Sequence, residues 1–185
     1  MRFTAAQVAQ VVDGKINGKD LELNGVTQDS RTVTPGSLFV PLVAERDGHD
    51  YIDQAVQAGA SAYLTNGEQA TGATSIQVED TASALLSLGA AARTSIQSSV
   101  VGITGSVGKT SVKDLTTSVL SQRGTTHSSP RSFNNEIGVP LTLLNTPEDV
   151  TAVITEMGAR HIGDINKPVS YTHLRAHETA LDLVC

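Results

Sequence analysis

The 185-residue chain has no tryptophan, only three tyrosines and three phenylalanines, so aromatic residues make up 3% of it. A core of stacked rings is excluded, and Ala, Val, Leu and Ile must fill the interior. That palette suits helices layered on a parallel sheet, where small and branched side chains pack against both faces. A single cysteine, Cys185, excludes an internal disulfide and a cysteine-ligated metal cluster. No apolar run approaches the roughly 20 residues that span a bilayer, and no basic-then-apolar leader opens the chain. The expectation is a soluble, cytoplasmic α/β protein without stable membrane insertion. A formal net charge of -6 argues against a broad basic face for nucleic acid. What remains, 39% hydrophobic and 17% charged residues, is a globular rather than a disordered balance.

Residues 4–12 predict a helix with Val8, Val11 and Val12 on one face, stopped at Asp13-Gly14. Short strands are expected at 21–23 and 26–28. Pro35-Gly36 reads as a type II turn, followed by a strand over 37–43 and a polar loop over 45–50. Next come a helix over 51–58 stopped by Gly59, strands over 60–65 and 75–78, and an Ala/Leu-rich helix capped by Asp80 or Thr81. The small, polar stretch 94–99 precedes a change of character, which places a domain boundary near residue 96. Beyond it, 100–104 predicts a buried strand and 109–123 a helix with Val112, Leu115 and Val119 on one side. Residues 137–144 read as helical, and 151–156 as a strand ending in the Glu156 carboxylate. The chain has no internal repeat.

Between strand and helix lies Gly105-Ser106-Val107-Gly108-Lys109-Thr110-Ser111. Backbone N–H groups of a tight glycine turn, with the positive end of the following helix, form a pocket for phosphate oxygens. Lys109 would neutralise the β- and γ-phosphates, and the Thr110 hydroxyl would ligate Mg2+. The strict P-loop pattern asks for a further glycine where Ile103 stands, so the match is to a shortened Gly-x-x-Gly-Lys-Thr form. A glycine turn capping a surface helix is the plainer alternative. Glu156 would lie on the ligand-binding edge of a parallel sheet and hold the Mg2+, or else cap the next helix. His161 becomes a candidate metal ligand through its nearness to Glu156, against the usual surface or packing role of a lone histidine.

Three stretches resemble the Mur ligase family of ATP-dependent amide ligases: 102–113 around the glycine loop, 133–144 beginning Phe133-Asn134-Asn135, and 156–165 beginning Glu156-Met157-Gly158. Upstream, residues 29–40, opening Asp29-Ser30-Arg31, and Asp47-Gly48-His49 are similar to the family's N-terminal uridine-nucleotide domain. The resemblance covers residues 1–165. It implies a small N-terminal α/β substrate domain (1–95, UDP-sugar binding) followed by the truncated start of a P-loop parallel-sheet ATP domain (96–165). It further implies ATP and Mg2+ as cofactors, with a UDP-N-acetylmuramoyl-tripeptide and D-alanyl-D-alanine as the substrates joined through an acyl phosphate. Carried over by position, Gly105 to Ser111 form the phosphate loop, and Thr110, Glu156 and His161 are the magnesium-associated positions. Asn134 and Asn135 contact substrate, and Ser30 belongs to the nucleotide-sugar site. Arg31 joins that site, or else forms a local ion pair in a structural turn.

The chain is expected to be monomeric, and the 166–185 tail, which resembles nothing in the family, to be non-native. An enzyme of this kind needs further domains, so the chain is expected to be inactive alone. Two alternatives stay open: the related diamino-acid-adding Mur ligase, and a nucleotide-binding module without catalysis. A P-loop kinase or GTPase leaves the Asn134-Asn135 segment unexplained.

Overall fold

The structure, a computed structural model, describes residues 2–67, 72–130 and 133–158. Its first sheet has five strands in the order β2-β7-β6-β5-β4, namely β2 (Lys15–Asn17), β7 (Thr74–Gln77), β6 (Ala62–Thr65), β5 (Leu38–Phe39) and β4 (Val26–Thr27). All neighbours run parallel except β2, which is antiparallel to β7. Period-2 alternation assigns the faces. Leu38, Val40, Ala62 and Leu64 enter the main core, shared with α1 (Ala5–Val11) and α3 (Thr81–Ser95), whereas Phe39 and Tyr63 face α2 (Ile52–Gln57) with Ile52 and Ala55. A separate antiparallel pair joins β1 (Arg2–Thr4) to β3 (Glu22–Asn24).

Local chemistry explains most boundaries. Thr4 and Gln7 form a capping box at the start of α1, and Asp80 accepts from the Ala82 and Ser83 N–H groups at the start of α3. The Thr34–Ser37 turn closes with a 3.1 Å bond and places Gly36 at φ 89°, as the type II reading requires. The strand expected over 37–43 is cut to Leu38–Phe39, since Pro41 has no N–H to continue the ladder. On α1, Val8 is buried while Val11 is 38% exposed, so the expected three-valine face narrows to Val8 and the partly buried Val12. The strands β1 and β2 were not anticipated.

The second sheet is fully parallel, in the order β8 (Ser99–Ile103), β10 (Ala152–Glu156), β9 (Thr126–Ser128). Its helices are α4 (Lys109–Leu120) and α5 (Gly138–Leu144). The central β10 is buried along its whole length. The expectation of a buried strand over 100–104 is corrected: β8 is an edge strand, and Val101 is 36% exposed. The apolar stripe on α4 is likewise uncovered, with Val112, Leu115 and Val119 at 50%, 68% and 66% exposure.

The two sheets are separate, and the chain passes from one to the other just after α3. Even so, α3 packs directly on α5. Leu85 and Leu88 share one apolar cluster with Val139, Leu141, Leu143 and Leu144. Asn145 adds a polar tie, accepting from the Val26 N–H at 3.0 Å and donating to the Val26 carbonyl at 2.8 Å. Among the described residues, no helix is long and apolar enough to cross a membrane.

Candidate functional site

The carboxyl end of β8 leads into a loop bounded by Gly105 and Gly108, and α4 begins at Lys109. Gly108 is the N-cap residue at φ 78°, a left-handed conformation that costs an L side chain but not glycine. A Cβ there would meet nothing within 4 Å, so conformation rather than crowding selects the glycine. As a glycine, the N-cap residue has no side chain to cap α4. Its first-turn N–H groups, which have no partner inside the helix, therefore face the loop with the positive end of the helix dipole. The Lys109 ammonium donates to the Gly105 carbonyl at 2.8 Å, folding the cation over this turn. Ser106, Val107 and Ser111 are exposed around it.

Beside the loop, the register aligns Glu156 of β10 with Ile103 of β8, and the Met157 N–H continues the ladder to the Ile103 carbonyl at 2.8 Å. The Glu156 carboxylate is 1% exposed and receives one donor on each oxygen. Thr110 Oγ1 donates to Oε2 at 2.9 Å, and Asn134 Nδ2 donates to Oε1 at 2.8 Å. Asn134 is itself fixed, since its carbonyl accepts from the Gly158 N–H at 2.6 Å. Thus the ends of β8 and β10, the first turn of α4 and the segment before α5 converge on one carboxylate. Hydroxyl and carboxylate oxygens beside a glycine turn at a helix N-terminus fit Mg2+, which takes one or two carboxylates and leaves its other positions to water and phosphate oxygens. Among the described residues, no group of three or more His, Cys, Asp or Glu side chains forms a denser metal site.

The other expected residues fall elsewhere. Asn135 is exposed, and its Oδ1 accepts from the Gly138 N–H at 2.9 Å and the Ile137 N–H at 3.3 Å, which caps the entry to α5. Ser30 and Arg31 lie on a 3-10 turn at the carboxyl end of β4, on the first sheet. The Ser30 hydroxyl is nearly buried and donates to Gln54 Oε1 at 2.9 Å. Arg31 makes the local pair that its turn allows, donating from Nε and a terminal nitrogen to the two Asp29 carboxylate oxygens at 2.9 and 2.7 Å. Those side-chain bonds, with the Arg31 N–H, lower the Asp29 pKa to about 2. His161 lies outside the described residues.

Sequence reasoning assigned no role to Gln54, Lys113 or Ser129. Gln54 partners Ser30, while Ser129 Oγ accepts from the Glu156 N–H and Lys113 donates to the Ser129 carbonyl. Only Lys113 carried a signal, as a lysine one helical turn after Lys109.

A parallel sheet whose edge strand runs through a left-handed glycine into a helix, with a buried carboxylate ending the adjacent strand, has the build of the phosphate-loop class of α/β proteins. Two family models match the chain: the Mur ligase family catalytic domain over residues 22–93 and the Mur ligase middle domain over residues 103–177. The chain belongs to the Mur ligase family. It is 45% identical over 175 residues to the UDP-N-acetylmuramoyl-tripeptide--D-alanyl-D-alanine ligase of Escherichia coli strain K12, covering 94% of this chain and 38% of that protein. The ligase of the same name from Bacillus subtilis strain 168 is 36% identical over 173 residues, with 90% and 38% coverage.

Among solved structures, the UDP-N-acetylmuramoylalanyl-D-glutamyl-2,6-diaminopimelate--D-alanyl-D-alanyl ligase of Acinetobacter baumannii matches with a TM-score of 0.83 at 29% identity, covering 93% of this chain and 40% of that one. A MurF ligase from Thermotoga maritima in complex with ADP matches with a TM-score of 0.68 at 30% identity, covering 80% and 35%. The chain thus spans about 38% of the length of these curated relatives. The middle-domain match runs to residue 177, past the point where the tail was expected to begin, in residues outside the described structure.

Proposed function

We propose that this chain supplies the nucleotide-binding part of an ATP-dependent ligase that joins D-alanyl-D-alanine to a UDP-N-acetylmuramoyl-tripeptide in cytoplasmic peptidoglycan precursor synthesis. The complete reaction belongs to a protein of the relatives' length, and the 185-residue chain alone is expected to be inactive and monomeric. One observation carries the reading: the buried Glu156 carboxylate is shared by Thr110 of the phosphate loop and Asn134. In the proposed reaction the tripeptide carboxylate takes the γ-phosphoryl group of ATP and releases ADP. The dipeptide amine then attacks the acyl phosphate, loses its proton and displaces phosphate as the amide forms.

An anionic nucleophile and a triphosphate repel one another, so the protein's task is neutralisation and alignment. Lys109 exchanges the Gly105 carbonyl for phosphate oxygens, and the first-turn N–H groups of α4 take the rest of that charge. Thr110 and Glu156, together with His161, are assigned to Mg2+, which when bound spreads the negative charge of the transferring group. Asn134 holds Glu156 in place, and Asn135 is assigned to the peptide. Residues 1–95 are assigned to the nucleotide sugar, with Ser30 presented by Gln54 and Arg31 beside it, and residues 96–165 to ATP.

Two measurements test this. The chain should bind ATP more tightly with Mg2+ than without, by calorimetry, and Lys109→Ala should abolish most of that binding. In the full-length ligase, Lys109→Ala should lower turnover by about 10²–10³, as loss of one preorganised electrostatic donor does. Affinity for the UDP-linked tripeptide should be unchanged. Turnover within twofold of the parent would refute the phosphate-loop assignment.

A further inference from the structure

Helix α4 reverses the usual amphipathic order: its apolar Val112, Leu115 and Val119 face outward, while Lys113 is 4% exposed. The Lys113 ammonium donates to the Ser129 carbonyl at 3.0 Å and lies 3.3 Å from Asp114 Oδ1 on its own helix. Ser129, just past β9, is 1% exposed. Its N–H donates to the Ile154 carbonyl at 2.9 Å, and its Oγ accepts from the Glu156 N–H at 3.2 Å and from Thr142 Oγ1 at 3.3 Å. Ser129 therefore ties α4, α5 and β10 together at the backbone of the residue that carries the site's carboxylate. Burying an ammonium is costly, and an apolar side chain of similar length would fill the same space without that cost. A charge kept there calls for a role beyond filling space.

We propose that Lys113 is a positioning residue for the Mg2+–triphosphate site: acting through Ser129, it holds the Glu156 backbone where the carboxylate meets Thr110 and Asn134. The inference rests on the assignment of Glu156 to Mg2+ made above. Outer partners of metal ligands contribute about 10- to 100-fold in metal affinity. The test compares the 185-residue chain with Lys113→Met and Ser129→Ala. ATP affinity is measured by calorimetry in excess EDTA and in Mg2+, and the Asn134 side-chain amide is followed by 1H–15N NMR without nucleotide.

Lys113→Met should leave EDTA affinity within twofold, cut the Mg2+-dependent gain about tenfold, and move the Asn134 resonance. Ser129→Ala should do the same, and the double variant should lose little more than either alone. A folded Lys113→Met protein with an unchanged Mg2+ gain and an unmoved Asn134 resonance would overturn the proposal. So would an equal loss with and without Mg2+, which marks direct phosphate contact or general damage. Where Lys113→Met does not fold, an unchanged Mg2+ gain in Ser129→Ala overturns it. Absence of any Mg2+ gain in the parent chain would defeat the ATP-site reading instead. The Asn134 resonance then decides the positioning role alone, and an unmoved signal overturns it.

Discussion

Gly89 in α3 tests whether the two sheets share one core. A Cβ at this position would lie 2.7 Å from Pro140 Cβ, 3.0 Å from its Cα and 3.2 Å from Cγ. Carbon–carbon contacts are optimal at about 3.5–4.0 Å, so Gly89→Ala overlaps α5 by roughly 0.8 Å. The opposing atoms belong to a proline ring and its backbone in the first turn of α5, not to the end of a flexible side chain. Overpacking of this kind costs about 1–3 kcal/mol. Against it, alanine gains roughly 1 kcal/mol over glycine in a helix interior. The stiffness of Pro140 favours the upper part of the cost, for a net loss of about 1–2 kcal/mol. For a chain of this size each kcal/mol shifts Tm by about 2–4 °C, so a fall of roughly 2–8 °C is expected. Far-UV circular dichroism serves as the assay, because the chain has no tryptophan to report fluorescence. Pro140→Ala in the same chain should relieve little of the loss, because it keeps the Cβ and Cα that make the two shortest contacts and removes only Cγ. Amide exchange should accelerate in β6 and in β10 together, since both border the shared cluster. A rise in Tm on Gly89→Ala, as unopposed helix propensity would give, or faster exchange confined to one sheet, would refute the packing argument.

Asn134→Ala removes a donor from the buried Glu156 Oε1 and should lower unfolding free energy by about 1–3 kcal/mol in urea titration; a change below 0.5 kcal/mol would mean that water replaces the amide. Arg31→Met should raise the Asp29 carboxyl from about 2 toward the ordinary 3.8, followed by 13C NMR titration. Because the folded value is depressed, the pair's contribution is present above pH 3.8 and lost as pH falls through about 2, and the variant should lack that acid-range loss. Burial holds the His127 pKa below 6.5, opposed by its bond to the Thr142 carbonyl. The unfolded chain therefore binds the proton first, and stability should fall as pH drops from 6.5 toward the lowered folded value. Replacing His127 with Gln should flatten that part of the urea-stability profile, and an unchanged slope would assign it to other groups.

Chain-local features were legible in the sequence because their physics acts over a few residues. The Gly36 turn, the Asp80 cap of α3 and the glycine loop of residues 105–108 each depend on conformations or hydrogen bonds that neighbouring residues supply. Tertiary structure decided what strand order and layer contacts decide. The segments of β8 and β10 read alike, as short runs rich in Val and Ile, yet the order β8-β10-β9 buries one and exposes the other. Helical periodicity grouped Val112, Leu115 and Val119 on one face without indicating what covers it, and the place of Lys113 one turn after Lys109 gave no sign of its burial. Three-residue strands such as β2 are too short for alternation to show, so pairing with β7 alone defines them. The site follows the same division. Lys109 and Thr110 were visible as a motif, whereas Glu156 meets Thr110 and Ser129 only because β10 lies in parallel register between β8 and β9, and meets Asn134 only because the segment before α5 returns to the end of β10, relations among distant segments that no local pattern encodes.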